Sequence, residues 1–202
     1  MKNLINTLLR FVNGLARPSK KTNRRRLLDR GETMDSFTIR EAMAVDIPKL
    51  AALHVKTWNE TYLHVKRPPT FEIRKYQWKQ QFTDTGTNWF CLVVENSKAE
   101  LIGFAKGHRY SSPDLPGYEG ELNKIYLLRG YQRLGLGTRM LCYVARRFLS
   151  QGITSMVLFG SPKNPSCRFH EAMGAKRLYS KKGEFHGGYG WQDLRPLARV
   201  CT

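Results

Sequence analysis

Two periodicities take turns along the chain. Phe37 to Arg40 alternates apolar and polar residues as a short strand does, and Asp46 then stands where an N-cap would, ahead of a helical run from Ile47 to about Thr57. Pro68 and Pro69 precede a second amphipathic segment, Phe71 to Phe82, which runs out at the turn-prone Asp84 to Asn88. Trp89 to Val94 and Leu101 to Gly107 have strand composition, and Asn96, Ser97 and Lys98 between them predict an antiparallel hairpin. Glu121 to Leu127 is a further strand candidate. A glycine-bearing turn follows it and opens a helix whose inward stripe is Leu136, Met140, Val144 and Phe148, with Arg139, Arg146 and Arg147 turned away. Ser155 to Phe159 predicts a strand, Ser166 to Met173 a short helix stopped by Gly174, and Lys176 to Asp193 a closing pair of strands. No internal repeat is present, and the sequence of elements predicts a mixed α/β fold.

Length changes this picture little, because 202 residues suit one domain with a full core. Charge changes it more. Lys and Arg number 34 against 16 Asp and Glu, a net +18, which points to an anionic partner with phosphates as first candidates. Nine of those cations precede Met34, against Asp29 and Glu32. Residues 1–33 are therefore expected to be a basic, flexible extension and residues 34–202 the domain. Leu4, Leu8, Val12 and Leu15 fall at helical spacing before Pro18, and the Arg-rich, acid-poor leader has the character of a transit peptide as well as of a solvated tail. The expected location is cytoplasmic, with organelle targeting left open. No apolar run reaches the 18 or so residues of a membrane span. Cys91, Cys142, Cys167 and Cys201 lack C-x-x-C spacing, so free thiols are expected, with neither disulfide nor metal site.

The clearest chemical signal is the turn Gln132-Arg133-Leu134-Gly135-Leu136-Gly137-Thr138. Two glycines between a strand and a helix let backbone N–H groups converge on an anion at the positive end of the helix. A tight strand-to-helix connection would have the same spacing. The turn is no Walker A loop, since no Gly-Lys-Ser/Thr follows, and the dinucleotide fingerprint fails at Met140.

With its preceding strand, this turn resembles motif A of the GNAT superfamily of acetyl-CoA-dependent N-acetyltransferases, Gln/Arg-x-x-Gly-x-Gly/Ala, matched by Gln132, Gly135 and Gly137. A second block, Asn164-Pro-Ser-Cys-Arg-Phe169-His170-Glu171-Ala-Met-Gly174-Ala, resembles the family's Asn-Pro-x-x-x-Phe-Tyr-Glu-x-x-Gly-Gly signature. The likeness extends to Phe37-Thr-Ile-Arg-Glu-Ala, to His54, Trp58 and Tyr62 spaced four apart, and to Gly188-Tyr-Gly-Trp, covering about residues 36–193. It implies an acyl-CoA acyltransferase fold, a central, mostly antiparallel twisted sheet flanked by helices. It also implies acetyl-CoA as cosubstrate, with no metal. Ile125, Tyr126 and Leu127 would pair their backbone with the pantetheine arm, and the amides from Arg133 to Thr138 would take the diphosphate. Arg133 and Arg139 could reach phosphate oxygens, with surface solvation equally open for Arg139. Asn164 and Phe169 would complete the cofactor groove, Asn164 serving alternatively as an N-cap.

Acetylating an amine requires removing its proton, stabilising an oxyanion and releasing a thiolate. Glu121, at the start of the strand into motif A, is the first base candidate, and Glu119 the second; either could instead be an exposed strand-end carboxylate. A backbone N–H near Tyr126 or Leu127 would serve the oxyanion. His170 stands where the family usually has the tyrosine credited with protonating coenzyme A. It could act as the acid with a more acidic pH optimum, yield that role to Tyr126 or water, let the coenzyme A thiolate leave unprotonated, or only line the groove. His54, Trp58 and Tyr62 share a helix face and would border an acceptor pocket whose aromatic walls suit a cation, or would pack into the core. The function expected is N-acetyl transfer to a primary amine of a small molecule, with a homodimer compatible. A protein or peptide N-terminus is the alternative acceptor, and a basic nucleic-acid-associated protein keeping the fold without the chemistry is the alternative class.

Overall fold

The computed structural model describes residues 25–62, 66–84, 86, 88–162, 164 and 166–201. The amphipathic stretch expected before Pro18 lies outside them. Seven strands form one sheet in the order β1-β2-β3-β4-β5-β7-β6. They are β1 (Thr38–Glu41), β2 (Trp89–Glu95), β3 (Leu101–Arg109), β4 (Gly120–Leu127), β5 (Met156–Phe159), β6 (Lys176–Tyr179) and β7 (Phe185–Trp191). Every neighbouring pair is antiparallel except β4 with β5. The helices packed on the sheet among the described residues include α1 (Ile47–Thr61), α2 (Phe71–Thr83), α3 (Leu136–Leu149) and α4 (Cys167–Ala172). This is the mixed, mostly antiparallel sheet flanked by helices that the periodicities and the resemblance predict.

Each face of the sheet has its own apolar cluster. On one side Leu136, Met140, Val144 and Phe148 of α3 pack against Phe90, Leu92 and Val94 of β2, Ala105 of β3 and Leu122 of β4. On the other, Leu50, Ala51 and Leu53 of α1 and Trp78 of α2 pack against Cys91, Val93 and Phe104. Strand alternation is what divides the residues of β2 between the two. Residues 25–33 lie against the α3 side: Leu27 is buried in that cluster, and Arg30 stacks 4.5 Å above the Tyr131 ring and donates to the Gly130 carbonyl.

Two local expectations are corrected. Asp46 precedes α1 but makes no side-chain cap bond; its carboxylate instead accepts both Nη groups of Arg40 at 2.7 and 2.9 Å and the Met43 amide at 2.8 Å. Arg40 also binds Glu95 at 2.7 and 3.1 Å, so one guanidinium ties β1, β2 and the entry to α1 together, and it holds the Asp46 carboxyl below the usual range. The cysteines are not all free thiols. Cys142 on α3 is bonded to Cys201, which a closing 3-10 turn at Leu197–Arg199 brings back across the helix, with Cα atoms 5.8 Å apart. Cys91 is a buried thiol and Cys167 a half-buried one.

Candidate active site

The loop from β4 into α3 is shaped by two left-handed residues. Arg133 has φ 64° and Gly135, the N-cap of α3, has φ 93°. Glycine carries such a φ without a Cβ penalty, whereas at Arg133 the conformation is uncommon. Leu134, between them, and Leu136 turn their side chains into the core, so at those positions only the backbone faces out. Gly135 has no side chain to cap α3, and among the described residues no other side chain accepts from its first amides, at the positive end of a 14-residue helix. Gln132 closes the loop onto the strand, its amide donating to the Leu127 carbonyl at 2.9 Å. Over the first turn lies Phe169 of α4: a Cβ at Gly137 would already touch the ring, 3.4 Å from Cζ. A glycine-lined cradle of outward amides fits a diphosphate, which is the test the expected cosubstrate must pass.

The rest of the expected groove sorts into chain-holding and open positions. Thr138 Oγ1 points at the Met173 sulfur, 3.6 Å away. Asn164 Oδ1 accepts the Ser166 amide at 3.0 Å and its carbonyl the Cys167 amide at 3.1 Å, so this side chain builds the entry to α4. Arg139 is partly engaged elsewhere: its Nη1 donates to the carbonyls of Met34 and Phe37, at 2.7 and 3.0 Å, tying α3 to the start of β1.

Beside the cradle the sheet opens. β4 and β5 pair only at Gly120↔Met156 and Glu121↔Val157. From Leu122 to Leu127, including Ile125, Tyr126 and Leu127, β4 continues without β5 alongside. Glu121 is thus the last paired residue before the strands part. Its Oε1 accepts from Asn123 Nδ2 at 2.9 Å, and its Oε2 lies 3.5 Å from Nε2 of His108, its cross-strand neighbour. Glu119 is placed differently. It lies before the strand, and its Oε2 accepts the amide and hydroxyl of Thr154 at 2.9 and 3.3 Å, a clamp on the loop into β5.

On the α1/α2 side of this opening, aromatic rings of the second apolar cluster enclose His54, and this enclosure is the chamber. His54 lies 5.0 Å from Phe104, 5.6 Å from Tyr126 and 5.8 Å from Trp78, centroid to centroid. Burial first, then Arg74, Lys124 and Lys106, lower its pKa to about 3, and neither ring nitrogen has a hydrogen-bond partner. Trp58 and Tyr62 pack with ring centroids 5.0 Å apart and planes tilted by 40°, both half-buried, and burial together with Tyr62 pushes the Tyr126 phenol up. The four-residue spacing therefore does gather His54, Trp58 and Tyr62 on the chamber side of α1, His54 at the bottom and the other two nearer the surface.

His170 faces inward rather than toward the groove. It is 3% exposed, with ring centroids of Phe169, Tyr189 and Trp191 at 5.4, 5.8 and 6.2 Å. Burial alone lowers its pKa to about 4, and Nδ1 has no partner. The residue is a neutral imidazole at pH 7, a poor source of protons.

Arg74 of α2, Lys106 and His108 of β3 and Lys124 of β4 escape sequence reasoning, although all join the chamber. A signal existed: Lys106 ends the apolar run of residues 101–105 and Lys124 directly precedes the apolar run of residues 125–127. Among the described residues no group of three His, Cys, Asp or Glu side chains stands together as a metal site, and no helix is long and apolar enough to cross a membrane.

Comparison with known proteins agrees with this geometry. An uncharacterized N-acetyltransferase of Bacillus subtilis (strain 168), YuaI, is 31% identical over 171 residues, spanning 82% of this chain and 98% of its own. Phosphinothricin N-acetyltransferase of Streptomyces viridochromogenes is 33% identical over 102 residues, 48% of this chain and 55% of its own. The crystal structure of the PaiA N-acetyltransferase from Thermoplasma acidophilum, solved in complex with coenzyme A, superposes with a TM-score of 0.63 at 20% identity, covering 77% of this chain and 98% of that one. The sequence model of the acetyltransferase (GNAT) family matches residues 48–175, from the start of α1 through the glycine turn to the end of the α4 block. The chain belongs to the acetyltransferase (GNAT) family.

Proposed function

We propose that the protein transfers the acetyl group of acetyl-CoA to a primary amine of a small molecule, with Glu121 as the base. The observation that carries this is the parting of β4 from β5 immediately after Glu121, which sets a half-buried carboxylate at the head of an open strand edge. The α3 cradle from Arg133 to Thr138 would hold the diphosphate, and the free edge at Ile125, Tyr126 and Leu127 would align the pantetheine arm by backbone pairing. Acetyl-CoA supplies an activated thioester. The chain's own residues do the rest.

An aliphatic amine arrives protonated, with an ordinary pKa near 10.4. Glu121, steadied by Asn123 and bordered by His108, receives that proton directly or through one water, leaving the lone pair free to attack. An unpaired N–H of β4 near Tyr126 or Leu127 stabilises the developing oxyanion. His170 has no part in proton transfer in this scheme. Trp58, Tyr62, Phe104 and Tyr126 exclude water from the amine. Agreement with acetyltransferases on both sequence blocks, where a merely electrostatic binder of nucleic acid needs neither, supports the enzymatic reading.

A thiol-release assay with acetyl-CoA and a panel of amines tests it. The expected result is turnover that Glu121→Gln lowers by about 10² to 10⁴ with little change in KM for acetyl-CoA. Absence of thiol release with every amine, or full activity in Glu121→Gln, overturns it.

A further inference from the structure

Lys106 and Lys124 stand directly opposite each other in the β3–β4 ladder. Like charges in that position destabilise an antiparallel pair, so the arrangement opposes stability. No acid separates them. Lys106 Nζ donates to Gln81 Oε1 and Lys124 Nζ to Asn123 Oδ1, both neutral acceptors. Arg74 comes in from α2. Its Nη1 donates to Gln77 Oε1 at 2.8 Å, another neutral partner, and its Nε is buried with no partner. Burial lowers the pKa of all three, and Lys106 and Arg74 help press Lys124 down to about 8. The carboxylate that reaches this cluster, Glu121, is already engaged by Asn123 and His108. Asp84 acts on Lys106 from the end of α2, and the two imidazoles present, His54 and His108, both have lowered pKa values.

Three cations gathered beside a catalytic carboxylate, with neutral partners only, break a local rule of stable design; such breaks concentrate at functional sites. We propose that the acceptor carries an oxyanion, a carboxylate or phosphonate, a few bonds from its reacting amine, and that Lys106, Lys124 and Arg74 hold that oxyanion while Glu121 handles the amine. The inference rests on the acetyl-transfer reading of the same chamber and adds the acceptor's chemical class. Spacing agrees with it: Lys106 and His108, opposite Lys124 and Glu121, are two residues apart on one strand face, about 7 Å, which spans a short amino acid. The aromatic wall would favour a lone cation, but the three positive charges behind it repel a polyamine or an aminoglycoside.

Thiol release is to be compared for glutamate, 4-aminobutyrate and aminomethylphosphonate against butylamine, putrescine and spermidine. The oxyanion-bearing amines are expected to show at least about 10-fold higher kcat/KM, the worth of one charge-assisted hydrogen bond. Lys124→Met should raise their KM by about 10-fold or more, leave kcat nearly unchanged and narrow the preference over butylamine. The variant relieves a like-charge contact, so its Tm should equal or exceed that of the wild type. Preference for polyamines, or a KM unmoved by Lys124→Met, overturns the inference. Glutarate, an anion with no amine, separates the two readings. If no amine is acetylated but glutarate raises the Tm of the wild type and not of Lys124→Met, acetyl transfer fails and the anion site stands. If glutarate raises neither, the anion site fails.

Discussion

His54 and His170 make the protein's stability a function of pH. Both imidazoles are neutral in the folded chain, with pKa lowered by burial to about 3 and about 4. In the unfolded chain each titrates near 6.5. At pH 8 neither state binds these protons and the linkage vanishes. As the pH falls from 8 to 5, the unfolded state takes up a proton at each site and the folded state does not, so stability falls. The proton-binding factor for one such histidine at pH 5 is about 30, worth about 2 kcal/mol, and the pair together loses about 4 kcal/mol. That is a large share of the 5–15 kcal/mol typical of a domain. His108, whose pKa is lowered by burial and partly restored by Glu121, adds in the same direction. Urea unfolding followed by fluorescence at pH 8, 6.5 and 5 measures the slope. His170→Phe changes packing equally at every pH, and the pH-dependent loss should shrink by about 2 kcal/mol between pH 8 and 5. An unchanged slope would show that His170 is not a buried neutral base, and the argument that removes it from proton transfer would fall with it.

Two further perturbations test the cradle and the closing turn. Gly135→Val places a β-branched residue at φ 93°, which should cost about 1–2 kcal/mol in urea unfolding and raise KM for acetyl-CoA more than Gly135→Ala does. A smaller KM effect from valine than from alanine would deny the turn its role. The Cys142–Cys201 bond closes a loop with sequence separation 59, for which chain entropy gives about 4 kcal/mol. Two titratable thiols rather than four in the denatured, unreduced protein, and a Tm that drops on adding reductant, are the expected results; four thiols would show the pair unbonded.

The fold was largely legible because each element announces itself within a dozen residues. Leu136, Met140, Val144 and Phe148 recur at helical spacing and all four are buried, and the Asn96–Lys98 turn joins β2 to β3 as composition predicts. The cradle was legible for the same reason, since its glycines and its helix are contiguous. What escaped depends on contacts across the chain. Asp46 looks like a cap until Arg40 and Glu95 are brought beside it, and Arg139 looks uncommitted until the Met34 and Phe37 carbonyls arrive. Cys142 and Cys201 share no motif because the turn that joins them is tertiary. The basic cluster is hidden most thoroughly, as Arg74, Lys106 and Lys124 come from three elements, one of them a helix whose apolar pattern is weak.

One extra residue in β4 lies within the site itself. The register runs Lys124↔Lys106, then Leu122↔Gly107 and Glu121↔His108, so Asn123 is opposed by nothing on β3. Side chains alternate along a strand, and were Asn123 paired in register Glu121 would face opposite to Lys124 and Tyr126. With this bulge, Glu121, Lys124 and Tyr126 all face the α1/α2 chamber, while Leu122, Ile125 and Leu127 pack on the α3 side. Asn123 also bonds both neighbours, donating to Glu121 and accepting from Lys124. These two roles separate by mutation. Asn123→Ala keeps the bulge and loses the hydrogen bonds, so the fold should hold and kcat should fall modestly, by about 10-fold, the worth of a hydrogen bond to a charged group. Deleting Asn123 makes Leu122 and Lys124 neighbours in a regularly alternating strand, so Glu121, Lys124 and Tyr126 keep the α1/α2 face and Leu122, Ile125 and Leu127 the α3 side. The deletion variant should therefore fold, and its kcat should fall about as far as that of Asn123→Ala, because both lose the same two hydrogen bonds. A deletion variant that folds but loses all measurable turnover while Asn123→Ala keeps most of it would show that the bulge sets the base's position by more than these hydrogen bonds, and the account of Asn123 as a polar tether would fail.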